Sequence, residues 1–199
     1  MPYYKKLVGE RCYLSPCSVD DATKWAEWDN DLEVTIPLGD EAYTPMSLEK
    51  EREALADASK RQSHVFDIVD NASDTLIGRC MLFSVNQVDR NAMLGICIGE
   101  KEYWSKGFGA DAIRLLLDYA FNLLNLNSIM LGTFAFNQRA IACYKKVGFK
   151  EIGRRRQARI ISGQKFDCVL MDILAEEFAS VYVGRILDQS LPRPAQKKP

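Results

Sequence analysis

Two glycines spaced two apart, at the entry to a long amphipathic stretch, constrain this chain more than any other feature. They lie in Tyr103-Trp104-Ser105-Lys106-Gly107-Phe108-Gly109-Ala110. Beyond them Ile113, Leu116, Leu117, Ala120, Phe121 and Leu124 recur at helical spacing, and Asp111, Arg114, Asp118 and Asn122 take the other side. Leu115, Tyr119 and Leu123 widen the apolar stripe, as expected of a helix packed on a sheet. Upstream, Met93-Leu94-Gly95-Ile96-Cys97-Ile98 reads as a buried strand. A glycine turn between strand and helix lets backbone N–H groups approach a ligand. The helix start adds free donors and a partial positive charge. The unit therefore suits a phosphate or pyrophosphate.

Two other phosphate loops fit less well. The nucleotide triphosphatase string G-x-x-x-x-G-K-[ST] does not occur. Gly107-x-Gly109-x-x-Ala112 does satisfy the dinucleotide pattern G-x-G-x-x-A. That fold, however, needs an acidic residue about 20 positions on to hold the ribose. No Asp or Glu occurs between Asp118 and Glu151.

A second segment, Asn137-Gln138-Arg139-Ala140-Ile141-Ala142-Cys143-Tyr144-Lys145-Lys146-Val147-Gly148-Phe149, reads as a short capped helix. Asn137 suits the N-cap, and Gly148 suits the left-handed position after the last turn. Ser128–Phe134 before it is a strand candidate, so the order is strand, glycine turn, long helix, strand, short helix, strand.

From about Ile96 to Asp172 the chain resembles the GNAT superfamily of acyl-CoA-dependent N-acetyltransferases. The family's motif N-x-x-A-x-x-x-Y-x-x-x-G-F is matched completely by Asn137, Ala140, Tyr144, Gly148 and Phe149. Its loop [RQ]-x-x-G-x-[GA] is matched at Gly107 and Gly109, with Trp104 where Arg or Gln is usual. The branch holding ribosomal-protein-alanine and spermidine acetyltransferases is most similar. There too a basic strand, a turn and a second strand follow G-F, as in Lys150–Arg159, Ser162-Gly163 and Gln164–Leu174. The likeness covers roughly residues 8–178 and is looser in the first half.

The resemblance implies acetyl-CoA as co-substrate and a primary amine as acceptor: a polyamine, a protein N-terminus or a small amine. It places Tyr144 near the CoA sulfur, where a phenol serves the leaving thiolate. A tyrosine in a helix otherwise buries its ring and bonds its hydroxyl to backbone. Backbone of Trp104, Ser105, Lys106, Gly107, Phe108, Gly109 and Ala110 is expected at the pyrophosphate. Lys106 either adds charge there or is simply solvated. Ile96, Cys97 and Ile98 are expected to pair with pantetheine amides, and Asn137 and Ala140 to border the same arm. Relatives often carry a Glu where this chain has Met93, and a thioether accepts no proton. His64, Glu100 and Glu102 are weaker alternatives for the base. A catalytically degenerate acyl-CoA sensor or scaffold is the competing reading, favoured by Met93 and Trp104 and opposed by the intact Tyr144 motif.

Substrate clues lie in the first half. No Lys or Arg occurs between Lys24 and Lys50, whereas Glu27, Asp29, Asp31, Glu33, Asp40, Glu41 and Glu49 do. Asp29, Asp31 and Glu33 are accordingly candidates for attracting a cationic amine; a solvated acidic loop is the alternative. Arg154, Arg155, Arg156 and Arg159 lie in one strand, where alternate residues face opposite ways, so they form no nucleic-acid stripe.

The remainder sets bounds. The 199 residues suit one domain, and a formal net charge of −1 gives no general pull toward nucleic acid or anionic membrane. Met1–Glu10 lacks a signal-peptide core, and no apolar run nears 18 residues. The six cysteines contain no C-x-x-C pair, so buried free thiols in a reducing cytoplasm are expected, with no metal site. Strands are expected at Glu10–Leu14, His64–Val69 and Leu76–Phe83, and helices at Val19–Trp28 and from Ser47 to Lys60. The expected architecture is a single α/β domain over residues 1–183 with the GNAT fold: a mixed six- to seven-stranded sheet and about four helices. A partly disordered tail is expected over 184–199, and pairing into a homodimer is allowed.

Overall fold

The alternation of side chains along the strands places a core on each face of one sheet. In Cys12–Pro16 (β2), Cys12 and Leu14 join one buried cluster and Tyr13 joins another. The computed structural model describes residues 3–60 and 63–190. Before β2 lies the short Leu7–Val8 (β1). After it come His64–Asp70 (β3), Leu76–Asn86 (β4), Asn91–Ile98 (β5), Ser128–Phe134 (β6), Lys150–Ile161 (β7) and Gln164–Leu174 (β8). Their order in the sheet is β1-β2-β3-β4-β5-β6-β8-β7. All neighbours are antiparallel except β5 and β6.

Helices Ala22–Asp29 (α1), Leu32–Thr35 (α2) and Leu48–Lys60 (α3) supply Trp25, Trp28, Val34 and Leu55 to the smaller cluster. Helices Phe108–Asn122 (α4), Gln138–Val147 (α5) and Val183–Ser190 (α6) join the larger one, through Ile113, Leu116, Ile141 and Val183 among others. The class is as expected, but the sheet has eight strands and the helices number six among the described residues. The two extra helices, α2 and α6, are four and eight residues long, too short to set up a sustained apolar pattern. The tail expected from 184 begins as α6; residues 191–199 lie outside the described residues. The first strand starts at Cys12, two residues later than expected, because Gly9–Arg11 form the turn from β1.

Two aspartates on the supposedly solvated side of α4 fasten other segments to it. Asp111 accepts from the backbone N–H groups of Arg11 at 2.7 Å and Cys12 at 3.1 Å. Asp118, fully buried, accepts from the N–H groups of Val181, Tyr182 and Val183 at 3.0, 2.6 and 3.0 Å. A carboxylate taking several backbone N–H groups satisfies donors that would otherwise be orphaned. Together they fix the helix whose start faces the site.

Candidate active site

The parallel pairing of β5 with β6 stops at Met93↔Met130. Beyond that point β5 runs on beside β4 to Ile98, and β6 beside β8 to Phe134. The two strands therefore part, and each leaves an unpaired edge facing the other. The gap opens into a cavity of about 860 Å³, walled by Ile96, Cys97 and Ile98 on one side and Gly132 and Thr133 on the other. Unpaired backbone of this kind is a ready partner for an extended ligand bearing amides.

Successive backbone groups of a strand point to opposite edges. The Cys97 carbonyl points at Gly78 on β4, so tightly that a side chain at Gly78 would collide with it. Ile96 and Ile98 thus present their backbone to the gap, and Cys97 does not. The Ile98 carbonyl is already engaged: the Trp104 indole donates to it at 2.7 Å. Of the three residues expected to pair with pantetheine, Ile96 keeps both groups for a ligand and Ile98 keeps its N–H. Cys97 contributes a buried thiol that desolvation pushes up to about 12.

At the end of the gap the chain turns through left-handed Ser105 (φ 60°) and Gly107 (φ 90°) into α4. Gly107 is the N-cap, and no side chain caps the helix. Ser105, Gly107, Gly109 and Ala110 all line the cavity, so uncapped N–H donors face it. The Arg11 side chain lies across Gly107, its Nε 3.1 Å from where a Cβ would stand. Lys106 is exposed and Phe108 packs edge-on against Tyr103; neither lines the cavity. Trp104 replaces the family's Arg or Gln, but a cation returns from elsewhere: the Arg139 guanidinium lies 3.6 Å above its ring, also on the cavity wall.

The short helix α5, its ends fixed by its caps, also walls the cavity. The Asn137 side chain accepts from the Ala140 N–H at 3.2 Å, and Gly148 ends the helix at φ 122°. Asn137 also donates to the Pro37 carbonyl at 3.3 Å. Asn137, Ala140 and Tyr144 line the cavity. Tyr144 is 9% exposed, and its hydroxyl makes no hydrogen bond to any described residue. A phenol used only for packing has its oxygen satisfied by protein. Burial, and then the nearby Cys143 and Cys97 thiols, push this phenol well above the usual tyrosine range, so it stays protonated.

The acidic cluster requires a correction. Asp29 is 5% exposed and bonded by both oxygens to the buried Arg79, at 3.1 and 2.5 Å. Asp31 caps α2 and pairs with Lys101 at 2.7 Å, and Glu33 pairs with the same lysine. None of the three lines the cavity. Their counter-charges come from β4 and from the loop after β5, out of sight in the local sequence. Asp40 and Glu41, members of that run not chosen as candidates, are the acids on the wall. His64 is bonded to Tyr119 at 2.9 Å, and Glu100 is taken by Lys24 and Trp28 at 2.9 and 3.1 Å. Arg79, Arg139, Met81, Phe83 and Glu41 are lining residues that carried no motif.

The sequence pattern of the acetyltransferase (GNAT) domain matches residues 11–150. The chain belongs to the GNAT acetyltransferase family. Related proteins include an uncharacterized N-acetyltransferase of Bacillus licheniformis, 28% identical over 87% of this chain and 98% of that protein. Spermidine N(1)-acetyltransferase of Vibrio cholerae is 34% identical over 56% of this chain and 64% of its own length. A putative ribosomal N-acetyltransferase of Bacillus subtilis is 29% identical over 69% and 76%. Among solved structures, Vibrio cholerae spermidine N-acetyltransferase in complex with CoA and spermine is 28% identical. It superposes with a TM-score of 0.76 over 83% of this chain and 96% of that one. This protein is thus an enzyme of the N-acetyltransferase class with the GNAT fold. No helix among the described residues is long and apolar enough to cross a membrane.

Proposed function

We propose that the protein transfers the acetyl group of acetyl-CoA to a primary amine. The observation that carries this is the parting of β5 and β6 beyond Met93 and Met130, with the unpartnered Tyr144 hydroxyl beside the opening. The residues fit the co-substrate: Ile96 and the Ile98 N–H for pantetheine, and the uncapped start of α4 for the pyrophosphate. Arg11 lies across Gly107 and Arg139 over Trp104, so two cations accompany the turn. Acetyl-CoA supplies the activated acyl group; the protein orients it and excludes water from the gap. Tyr144 is a hydrogen-bond donor to the departing sulfur. Its pKa stands above the ordinary thiol value of about 8.5, so full proton transfer from it would run uphill.

Within the amine class, Met81, Phe83 and Met93 favour an acceptor carried on an apolar body. Met81 and Phe83 would each lie 3.4 Å from a Cβ at Gly95, which sets them side by side on the wall next to Met93. Polyamines, acetylated by the spermidine acetyltransferase relatives, are the second acceptor reading. Thiol release from acetyl-CoA, measured against aromatic and aliphatic monoamines, polyamines and peptides with free N-termini, tests both. Acceptor-dependent release, fastest with apolar monoamines or apolar N-termini, is expected. Release that no amine accelerates would overturn the proposal and leave the acyl-CoA sensor.

A further inference from the structure

The cavity wall lacks a carboxylate at Met93, so the proton of an incoming ammonium must leave by another route. An alkylammonium titrates about three pKa units above neutrality and a peptide α-ammonium about one, and only the neutral amine attacks a carbonyl. Around the gap most acids are occupied: Asp29 by Arg79, Asp31 and Glu33 by Lys101, and Glu100 by Lys24 and Trp28. Glu41 is different. It lines the cavity and its carboxylate has no hydrogen bond or ion pair to any described residue; Asp40 beside it also lines the cavity unpaired, but Asp40 is exposed where Glu41 is half-buried. One oxygen curls back over Gly39, 2.8 Å from where a Cβ there would stand, so the glycine leaves it room.

The segment bearing Glu41 is strapped across the mouth from two sides. Asn137, the N-cap of α5, donates to the Pro37 carbonyl. Arg159 donates to the Gly39 carbonyl at 2.6 Å. Arg159 is 4% exposed and held between the Tyr43 and Phe134 rings at 4.5 and 4.6 Å. Two of its nitrogens, Nε and Nη2, have no partner among the described residues. Leaving buried donors unpaired is costly, so the contact to Gly39 is the one polar return for placing a guanidinium there. A bulge in β7 between Arg155 and Arg159, with Gln157 at φ 50°, turns Arg159 inward while Arg154, Arg155 and Arg156 stay exposed.

Glu41, Cys97 and Tyr144 all line the same cavity. The Glu41 charge acts on the Cys97 thiol, and that same thiol acts on Tyr144. Cys97 thus lies within electrostatic reach of both, with Glu41 on the 37–43 strap and Tyr144 on α5.

Resting on the acetyltransferase reading above, we propose that Glu41 is the proton acceptor for the amine, taking the place of the carboxylate that Met93 displaces. The ammonium gives its first proton to Glu41, directly or through one water. The neutral nitrogen forms the N–C bond at the thioester carbonyl, and the C–S bond breaks against the Tyr144 hydroxyl. The nitrogen's second proton ends on the departing sulfur, and Glu41 returns its own to solvent. The titratable and charged groups facing Glu41 are Asp40 and Tyr43 on its own turn, Arg79 on β4 with Asp29 and Glu51 behind it, and Cys97 on β5. Arg139, Cys143, Tyr144 and Lys146 share the cavity wall with it from α5, and Tyr103 from the loop after β5, while Arg159 of β7 holds its turn through Gly39 and Tyr43.

The test is Glu41→Gln, with Glu41→Ala and Glu41→Asp, assayed with whichever amine the wild type accepts best. Glu41→Gln should lower kcat by about 10²-fold or more at saturating acceptor. Acetyl-CoA affinity by calorimetry and the thermal midpoint should match the wild type. Glu41→Asp should keep part of the rate, and added formate should restore part of it to Glu41→Ala. A Glu41→Gln enzyme with kcat within twofold of wild type, or a loss lying wholly in acceptor KM, would overturn the assignment while leaving the acetyltransferase reading intact. A wild type that no amine turns over would overturn both.

Discussion

Replacing Tyr144 by Phe separates its two readings, and the structure gives the size of the effect. The ring is buried in the larger core cluster and packs against Phe149 with centroids 6.0 Å apart, contacts that Phe retains. The hydroxyl has no partner among the described residues, so removing it breaks no bond in the free enzyme. Stability should therefore change by less than about 0.5 kcal/mol, the scale of a substitution that leaves no group unpaired. In the transition state the hydroxyl donates to a sulfur gaining negative charge in a largely desolvated gap. A hydrogen bond to a charged group contributes about 1.5–3 kcal/mol, or roughly 10- to 150-fold in rate. The variant should thus fold with an unchanged melting temperature, bind acetyl-CoA as before, and lose about that factor in kcat by thiol-release kinetics. An undiminished kcat would refute the reasoning and make Tyr144 a packing residue. A fall in melting temperature with a proportionate fall in activity would refute it equally.

Three other outcomes are expected. Gly107→Val places a β-branched residue at φ 90° and its Cβ against Arg11, so acetyl-CoA affinity should fall at least tenfold by calorimetry; an unchanged Kd would remove the loop from the site. Asp29→Ala leaves the Arg79 guanidinium buried and unpaired and should cost about 3–5 kcal/mol in urea unfolding; a loss under 1 kcal/mol would show the pair to be solvated. Burial first, and then Asp21 beside it, push the Asp67 carboxyl up to about 8, whereas the unfolded chain ionises near 3.9. Folding therefore favours the protonated form, and stability should decline as pH rises from about 4 through about 8. Asp67→Asn should flatten that decline between about pH 4 and about pH 8, and an equally steep curve in the variant would show that Asp67 does not cause it.

The second half of the chain was legible because its chemistry is local. A glycine that must adopt φ 90°, a helix that must be capped at Asn137 and ended at Gly148, and an apolar stripe at helical spacing all announce themselves within a dozen residues. The acceptor end was not legible, because its charges are set by distant partners. Asp29, Asp31 and Glu33 look like an uncompensated acidic face until Arg79 and Lys101 arrive from other elements. Glu41 looks like one more acid in that run, and only Arg159, 118 positions away, shows that its turn is held over the cavity. Asp118 likewise reads as the solvated side of α4, yet it is fully buried under the start of α6. Local periodicity identifies which side of a helix is apolar; it does not say what packs against the polar side. The direction of the Cys97 backbone is not legible for a smaller reason, since the alternation that turns it to β4 needs the strand's register and not only its existence.

The central claim is that the gap between β5 and β6 holds CoA with its sulfur at Tyr144. A crystal structure of the protein grown with CoA and an apolar primary amine tests it most directly. Pantetheine should lie along Ile96 beyond the Met93–Met130 pair, pyrophosphate on the N–H groups that follow Gly107, and the sulfur within hydrogen-bond reach of the Tyr144 hydroxyl. CoA bound elsewhere, or bound in the gap with its sulfur turned away from Tyr144, would contradict it.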